Sequence, residues 1–427
     1  MRVLLLSHTT GYQLRAFNDA AAEIGIELLF ATDRCHKLDD PWQDHAVPVR
    51  FHEPRASVDA IVAAAERRGV EGVIAVGDRP VALAAMAAEA LGIPWHGVAG
   101  AAASADKRRS RTLLAAAGLP SPRFTVLRVS DRDIRKPAAV GFPCVVKPVG
   151  LAGSRGVIRA DNAEQFAGAV WRVRSLLARP QIRAARAGLE DEILVETFIP
   201  GRELAVEGVM THGALTAFAI FDKPDPLDGP FFEETIYVTP SRFPFVVQHA
   251  IIRHTERAAR ALGLYHGPIH AECRVNDGGV FVLEVAARPI GGLCSKVLSF
   301  VDAEDAEECE RLSLEHILLE HAVGHRIDGW TRERAGAAVM MIPIPARGVL
   351  KGVGGIDEAR ATHGIEDVRI TAKTDQLLEP LPEAGSYLGF IFARGERAED
   401  AEAAVRAAHA KLRFEIQRPI AVQSIAD

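Results

Sequence analysis

An acid inside an otherwise apolar strand constrains this chain more than any other feature. The stretch Val280-Phe281-Val282-Leu283-Glu284-Val285-Ala286-Ala287-Arg288 meets His270-Ala271-Glu272-Cys273-Arg274-Val275 across Asn276-Asp277-Gly278-Gly279, which reads as a β-hairpin. Side chains alternate along a strand, so His270, Glu272 and Arg274 share one face, as do Glu284, Ala286 and Arg288 on the other strand. Glu272 lies opposite Glu284 only if the loop is odd, such as Asp277-Gly278-Gly279 with a left-handed Gly, or if a bulge corrects the register. Two facing carboxylates repel unless a cation sits between them. Oxygen ligands of this kind suit Mg²⁺, which usually also takes substrate phosphates. The alternative is a hairpin whose acids point into solvent; its weakness is the place of Glu284 between Leu283 and Val285. Cys273, beside Glu272, points to the opposite face and into the core.

Upstream, Val145-Val146-Lys147-Pro148-Val149 reads as a strand that delivers a lysine, and a loop carrying Gly150, Gly153, Ser154 and Gly156 follows. Glycines let backbone N–H groups approach an anion closely, and a nest of them binds phosphate. Only nine of the 50 basic residues are Lys. The chain uses Arg where any positive charge would serve, so a Lys in such a place carries extra information. A glycine-rich hairpin with a surface Lys is the alternative. No Gly-Lys-Ser/Thr occurs, so the loop is not of the Walker A kind. Glu196 and Glu203 sit on strands either side of Pro200-Gly201. Such carboxylates take ribose hydroxyls or an adenine amino group, or lie solvated on an exposed hairpin. Residues 222–235 form a long Pro/Gly/Asp segment ending in Glu233-Glu234. Long loops of this kind are often lids or binding loops, and otherwise plain surface connections.

The rest of the chain sets these motifs in order. Its 427 residues suggest about three domains at roughly 150 residues each. The first hundred residues alternate strand-like segments (3–6, 27–31, 72–76) with helix-like ones (13–24, 58–68, 80–91), which predicts a parallel sheet with helices on both faces. The loop at 7–12 is not a dinucleotide fingerprint, so NAD is not implied. From about 125 to 301 short β segments dominate, with helices at 163–177 and 244–262, as expected for mainly antiparallel sheets. A helix near 311–323 leads to a third unit at 335–427, with strands near 337–344, 368–374 and 389–394 and a final helix from Asp400 to about Lys411.

Several function classes are excluded. The net charge of −6 and the scatter of Arg and Lys, with one short run at Lys107-Arg108-Arg109-Ser110-Arg111, argue against a nucleic-acid partner. No apolar run approaches the roughly 18 residues of a membrane span, and the apolar start at 3–6 is too short for a signal peptide. Five widely spaced Cys without C-x-x-C argue against a disulfide framework or thiolate zinc site, so a cytoplasmic chain with reduced thiols is expected. His316 and His321 are five apart, roughly 140° around a helix, and do not face one metal. No Gly-x-Ser-x-Gly elbow occurs.

The three motifs, in this order and spacing, resemble the ATP-grasp superfamily, and within it the L-amino-acid ligases, which are dipeptide-forming carboxylate–amine ligases. Supporting strings are Asp106-Lys107 with its following helix, Phe232-Glu233-Glu234-Thr235, Glu284-x-x-x-Arg288-x-x-Gly-Gly, Gly348-Val349-Leu350-Lys351-Gly352-Val353 and Gly385-Ser386-Tyr387-Leu388-Gly389-Phe390. The resemblance implies an α/β and α+β multidomain fold. A Rossmann-like N-terminal domain (1–105) would precede an ATP-grasp fold (106–330, lid subdomain about 125–197) and a C-terminal α+β domain (331–427).

Carried over residue by residue, the resemblance implies that Lys107 and Lys147 hold ATP phosphates and that Gly150, Gly153, Ser154 and Gly156 belong to a phosphate lid. Glu196 and the backbone at Phe198 would meet adenine, and Glu203 the ribose. Glu272 and Glu284 would ligate Mg²⁺, with Mn²⁺ as an alternative ion. Arg288 would steady the reacting carboxyl phosphate, and His270 would contact phosphate or the intermediate. Glu233 or Glu234 would bind a substrate ammonium. The substrates implied are a small carboxylate and an amine, with amino acids first in view; a homodimer is common in similar ligases. One departure is Ala286, where the family usually has a metal-binding Asn. It leaves open the number of metals, and it keeps two alternatives in view: another ATP-grasp chemistry, with bicarbonate or a non-amino-acid amine, and ATP binding without catalysis.

Overall fold

Val3, Leu4, Leu5 and Leu6 are all buried, which a strand achieves only in a sheet covered on both faces. In the computed structural model, which describes residues 1–8, 12–33, 46–131, 139–185, 188–302 and 311–418, that sheet is four-stranded and parallel. Its order is Val47–Pro48, Glu27–Thr32, Arg2–Ser7, Gly72–Val76. Tyr12–Glu23, Pro54–Arg68 and Val81–Leu91 are its helices. The β-α-β-α reading therefore holds. Ligands of open α/β sheets bind outside the carboxyl ends of the strands, and here that edge presents Asp78, directly after Gly72–Val76. Residues 9–11, inside the loop at 7–12, and Cys35 and Cys309 lie outside the described residues.

Two further helices, Val98–Ala105 and Lys107–Ala116, lead out of this sheet. The first was not legible, because Val-Ala-Gly-Ala-Ala-Ala-Ser-Ala has no apolar periodicity to read. Its glycine explains its position: a Cβ on Gly100 would stand 2.5 Å from the carbonyl oxygen of Gly263, so only Gly lets this helix meet the end of the helix Phe245–Leu262.

A small antiparallel sheet follows, ordered Phe124–Arg128, Glu192–Thr197, Cys144–Pro148, Ile158–Ala160. Helix Ala163–Leu177 covers it and closes an apolar cluster of its own around Phe166, Val173 and Ile193. An own core is the mark of a separate unit. The largest sheet has eight strands, ordered Gly279–Ala286, Gly267–Asn276, Arg202–Thr211, Ala214–Asp222, Ile236–Thr239, Gly336–Ile342, Gly389–Gly395, Ile365–Ile370. It runs across position 330 without a break, because Ile236–Thr239 pairs with Gly336–Ile342. The C-terminal stretch is thus joined to the centre by backbone hydrogen bonds as well as by chain. Leu4 and Leu6 share one apolar cluster with Leu204, Val206 and Ile269, and helix Leu314–Ala322 packs on both Gly72–Val76 and Gly267–Asn276, so helices join the parallel sheet to the central one. Among the described residues no helix is long and apolar enough to cross a membrane.

Four histidines gather behind the central sheet. The rings of His266 and His321 stack at 4.4 Å, and His212 lies 4.9 Å from His266. His96 donates from Nε2 to the Pro268 carbonyl at 2.9 Å and accepts the Tyr265 N–H on Nδ1 at 3.2 Å. That pairing needs a neutral ring. Burial pushes His96 and His266 down to about 4 and His321 to about 3. His316 goes elsewhere, to Glu23 at 2.8 Å, as the angle between it and His321 predicted. The unfolded chain binds protons on these rings below about pH 6.5 while the folded chain does not, so stability is full above that value and is lost on acidification. Removing one such ring by His321→Gln is expected to spare about 2 kcal/mol of the loss between pH 6.5 and 5. Urea titrations at the two pH values check this, and an equal loss in both proteins would contradict it.

Candidate active site

The hairpin reaches its register by the bulge and not by an odd loop. Asn276 pairs with Gly279 around the two-residue turn Asp277-Gly278, and pairing runs regularly to Cys273 with Val282. Leu283 is then passed over, and Glu272 pairs with Glu284 and His270 with Ala286. Without that extra residue Glu284 would fall on the core side with Val282, and Val285 would turn toward the cavity. With it, His270, Glu272, Glu284 and Arg288 all line one cavity of about 410 Å³.

The neighbouring strand adds the next layer. Arg202–Thr211 pairs with Gly267–Asn276 so that Glu203 meets Arg274 and Glu207 meets His270. Glu203 accepts from Arg274 Nε at 2.8 Å. Lys223, at the end of Ala214–Asp222, donates from Nζ to Glu203 at 2.9 Å, Glu234 at 2.8 Å and Glu272 at 2.9 Å. Tyr237 adds its hydroxyl to Glu234 at 2.7 Å. Sequence reasoning missed Lys223. The signal available was that it is one of the nine lysines and directly ends a strand. Burial opposes its charge, yet the three carboxylates outweigh burial and raise it well above the lysine range. Burial and Glu272 raise Glu234 to about 7, while Lys223 and His270 overcome burial and lower Glu272.

The opposite wall carries the other lysines. Lys107 opens its helix behind the cap Asp106, and its Nζ donates to the Leu151 carbonyl at 2.8 Å and stands 3.4 Å from Glu284. Lys147 contacts Glu196, whose other oxygen accepts from Arg111 Nε at 2.9 Å. Glu196 is therefore committed to fixing Lys147. Burial lowers Lys147 even against the pull of Glu196, and Arg111 with Lys147 holds Glu196 below its ordinary range against burial. Gly153 and Ser154 line the cavity with φ of 63° and 55°. Pro122, Val145, Phe198, Phe232 and Leu283 complete an apolar slot between the walls.

Three of the residues singled out do not line the cavity. Gly150 and Gly156 instead allow packing: a Cβ there would stand 2.8 Å from Leu189 and from Pro148 respectively. Glu233 alternates with Phe232 and Glu234 along an extended segment, so its neighbours face the cavity and it does not. Phe198 lines the slot, but its backbone N–H already donates to the Pro143 carbonyl at 3.2 Å. The segment 222–235 is tied on several sides: Arg159 donates to Asp228 at 2.7 Å, and Arg406 to Asp225 at 2.6 Å.

A second segment closes the cavity from the C-terminal side. Gly156 N–H donates to Pro382 at 2.8 Å, Arg172 grips Glu383 through two nitrogens at 2.7–2.9 Å, and Arg179 pairs with Glu379 at 2.8 Å. Gly385 and Tyr387, just beyond, line the cavity.

The donor set fits a nucleotide triphosphate with a hard divalent cation. Two ammonium groups and a left-handed turn face the paired Glu272 and Glu284, while one oxygen each of Glu203, Glu234 and Glu272 lies within 4.8 Å of the others around the Lys223 ammonium. Around Lys223 and Arg274 these carboxylates outnumber the cations by one. An all-carboxylate set suits Mg²⁺. Lys223→Met would leave Glu234 and Glu272 without their cation and Glu203 with Arg274 alone, and is expected to cost about 3–5 kcal/mol at neutral pH. That cost should shrink on acidification as the acids take up protons. Denaturant unfolding at pH 8 and pH 5.5 measures both, and an equal cost at the two would contradict the assignment.

Three domain families match the chain in succession. They are the ATP-grasp N-terminal domain at 18–95, the ATP-grasp domain at 140–297 and the L-amino acid ligase C-terminal domain 2 at 340–417. The D-alanine–D-alanine ligase of Aromatoleum aromaticum is 34% identical over 208 residues, 47% of this chain and 62% of that protein. The alanine–anticapsin ligase of Bacillus subtilis is 28% identical over 250 residues, 55% of this chain and 52% of that protein. The chain therefore spans between half and two thirds of the length of these curated relatives. The crystal structure of an L-amino acid ligase from Bacillus licheniformis has the same fold, with a TM-score of 0.80 over 98% of this chain and 99% of that one at 24% identity. That of N5-carboxyaminoimidazole ribonucleotide synthetase from Thermotoga maritima gives 0.69 at 15% identity, over 98% and 100%. With these domains in this order and this fold, the chain belongs to the ATP-grasp superfamily.

Proposed function

We propose that the chain is an ATP-dependent carboxylate–amine ligase that joins two amino acids. The observation that carries this reading is the convergence in one cavity of Lys107, Lys147 and the Gly153-Ser154 turn opposite Glu272, Glu284 and Arg288. A substrate carboxylate oxygen attacks the γ-phosphorus of ATP, the bond to ADP breaks, and an acyl phosphate forms. The amine nitrogen then attacks the carbonyl carbon, inorganic phosphate leaves with the bonding pair, and the nitrogen loses a proton. The chain's task in both steps is positioning and charge compensation.

Each residue then has a task. Lys107 and Lys147 face the phosphates, with Glu196 and Arg111 holding Lys147 in place. The apolar slot of Val145, Phe198, Phe232 and Leu283 receives the base, and Glu203 stands where a ribose hydroxyl reaches it. Glu272 and Glu284 would hold Mg²⁺, which supplies charge neutralisation on the phosphates. Ala286 offers no ligand beside them, while Lys223 brings a fixed positive charge to Glu272. Of Glu233 and Glu234, the substrate ammonium is assigned to Glu234, because Glu234 lines the cavity. Arg288 steadies the carboxyl phosphate, and His270, held on Nδ1 by Glu207 at 3.2 Å, stands beside it. The segment 379–387 keeps the glycine turn closed over the acyl phosphate, away from water.

Phosphate release from Mg²⁺-ATP against a matrix of paired L-amino acids tests the reading. Release is expected only when both partners of a pair are present, and Glu284→Ala should reduce it by about 10²–10³-fold. Release without an amine, or with bicarbonate alone, would overturn it. Opening the closure by Glu383→Ala is expected to raise phosphate released per amide formed several-fold, since water then competes for the intermediate. An unchanged ratio would remove that role from the segment.

A further inference from the structure

Arg288 is gripped from the N-terminal sheet. Asp78 follows the strand Gly72–Val76 through Gly77, whose φ is 87°, at the carboxyl edge of that sheet. Its Oδ1 accepts from Arg288 Nε at 2.7 Å and its Oδ2 from Nη2 at 3.3 Å. Arg288 Nη1 donates to the Pro289 carbonyl at 3.0 Å. A guanidinium has five N–H groups in a fixed plane. These contacts use three of them and leave one on each terminal nitrogen, so a fork remains that matches two oxygens of a carboxylate or a phosphate.

The same loop is pinned at its next turn. Ile290 N–H donates to both oxygens of Glu207 at 3.1 Å, and its carbonyl accepts from Gln13 Nε2 at 2.9 Å. Glu207 is fully buried on the central sheet, and Gln13 opens the first helix of the N-terminal domain. With both polar groups of Ile290 taken by side chains, the Arg288 backbone is fixed from two domains. Only the side chain's rotation is left, and Asp78 sets it.

We propose that Asp78 is a positioning residue for the reaction, contributed by the N-terminal domain, which occupies one edge of Arg288 and so turns its remaining N–H fork into the cavity to take the oxygens of the carboxyl phosphate or of the phosphate it releases. This rests on the reading of Arg288 given above. The alternative is a plain counter-ion. The two differ in sign. A counter-ion weakens anion binding at Arg288, so removing it strengthens binding. A positioning residue strengthens anion binding, so removing it weakens binding.

The test is calorimetric titration of inorganic phosphate into the full chain loaded with MgADP. Asp78→Ala and Asp78→Asn are each expected to weaken phosphate by tenfold or more, as Arg288→Ala does, and Asp78→Glu to recover part of the loss. MgADP affinity, measured first in every variant, is expected to stay within twofold of the parent chain and also reports that each variant is folded. In turnover with an active amino-acid pair, Asp78→Ala lowers kcat and leaves the KM for ATP unchanged. Phosphate binding that is unchanged or tighter in Asp78→Ala overturns the proposal. So does loss of MgADP affinity in Asp78→Ala and Asp78→Asn together, or a parent chain that binds no phosphate beside MgADP. Weakened phosphate binding in a protein that no amino-acid pair turns over leaves the Asp78–Arg288 assignment standing and sinks the ligase reading instead.

Discussion

One ammonium group organises the centre of this protein. Lys223 Nζ reaches Glu203 on one strand, Glu272 on the next, and Glu234 on the segment that leads into a fourth. Bringing those carboxylates together without it would leave buried like charges facing one another, and removing one partner of a buried ion cluster costs several kcal/mol. The cluster is still short of positive charge, because among the described residues Arg274 is the only other Arg or Lys paired with these carboxylates. A buried site that remains acidic after its internal pairing is ready for a further cation, and the adjoining Glu272–Glu284 pair enlarges it. Folding and ligand binding therefore draw on the same group of side chains.

The cavity is assembled from every layer of the fold. The small antiparallel sheet brings Lys147 and the glycine turn. The helix between the first two sheets brings Lys107. The central sheet brings the acids and His270, and the parallel sheet brings Asp78. Each group is held from outside its own element: Lys147 by Glu196 and Arg111, His270 by Glu207, Arg288 by Asp78. Such support fixes charged side chains at known places before a ligand arrives, and preorganised charge is worth more inside a low-dielectric site than charge that must move into place.

The covering unit is tied differently. It has its own apolar cluster and meets the C-terminal stretch, among the described residues, through arginine–carboxylate pairs, the Arg155 contact to the Glu383 carbonyl and the backbone hydrogen bond from Gly156 to Pro382. Partly exposed ion pairs of this kind contribute little stability each. They break and re-form at small cost, which suits the proposed ligase reading, in which this boundary opens for a nucleotide and closes over a reactive phosphate. Because the same stretch carries Tyr387 into the cavity, closure and the substrate pocket share one piece of chain.

Much of this was legible in the residues. Apolar runs and alternation gave the order of strands and helices, since burial on one face or two leaves its period in the sequence. The facing of Glu272 and Glu284 was reachable as a question of register, though the residues allowed two answers and the bulge at Leu283 supplied the one that occurs. The scarcity of lysine marked Lys107 and Lys147. Other features had no local signal. Glu207, Asp78 and Gln13 act across 63 to 277 positions of chain, and no short window of sequence contains both members of such pairs; Lys223 shares the 222–235 segment with Glu234, but it reaches Glu203 and Glu272 only across 20 and 49 positions. Glycine is ambiguous for the same reason: Gly153 turns the loop, whereas Gly150 and Gly156 make room for Leu189 and Pro148, and composition does not separate the two. By itself the sequence determined the elements, the sheet faces and the residue types able to bind phosphate and a divalent cation, because these follow from local period and chemistry. Which carboxylate holds which cation, how Arg288 is turned and what closes the cavity were decided only by tertiary structure, because those depend on distances between segments far apart in the chain.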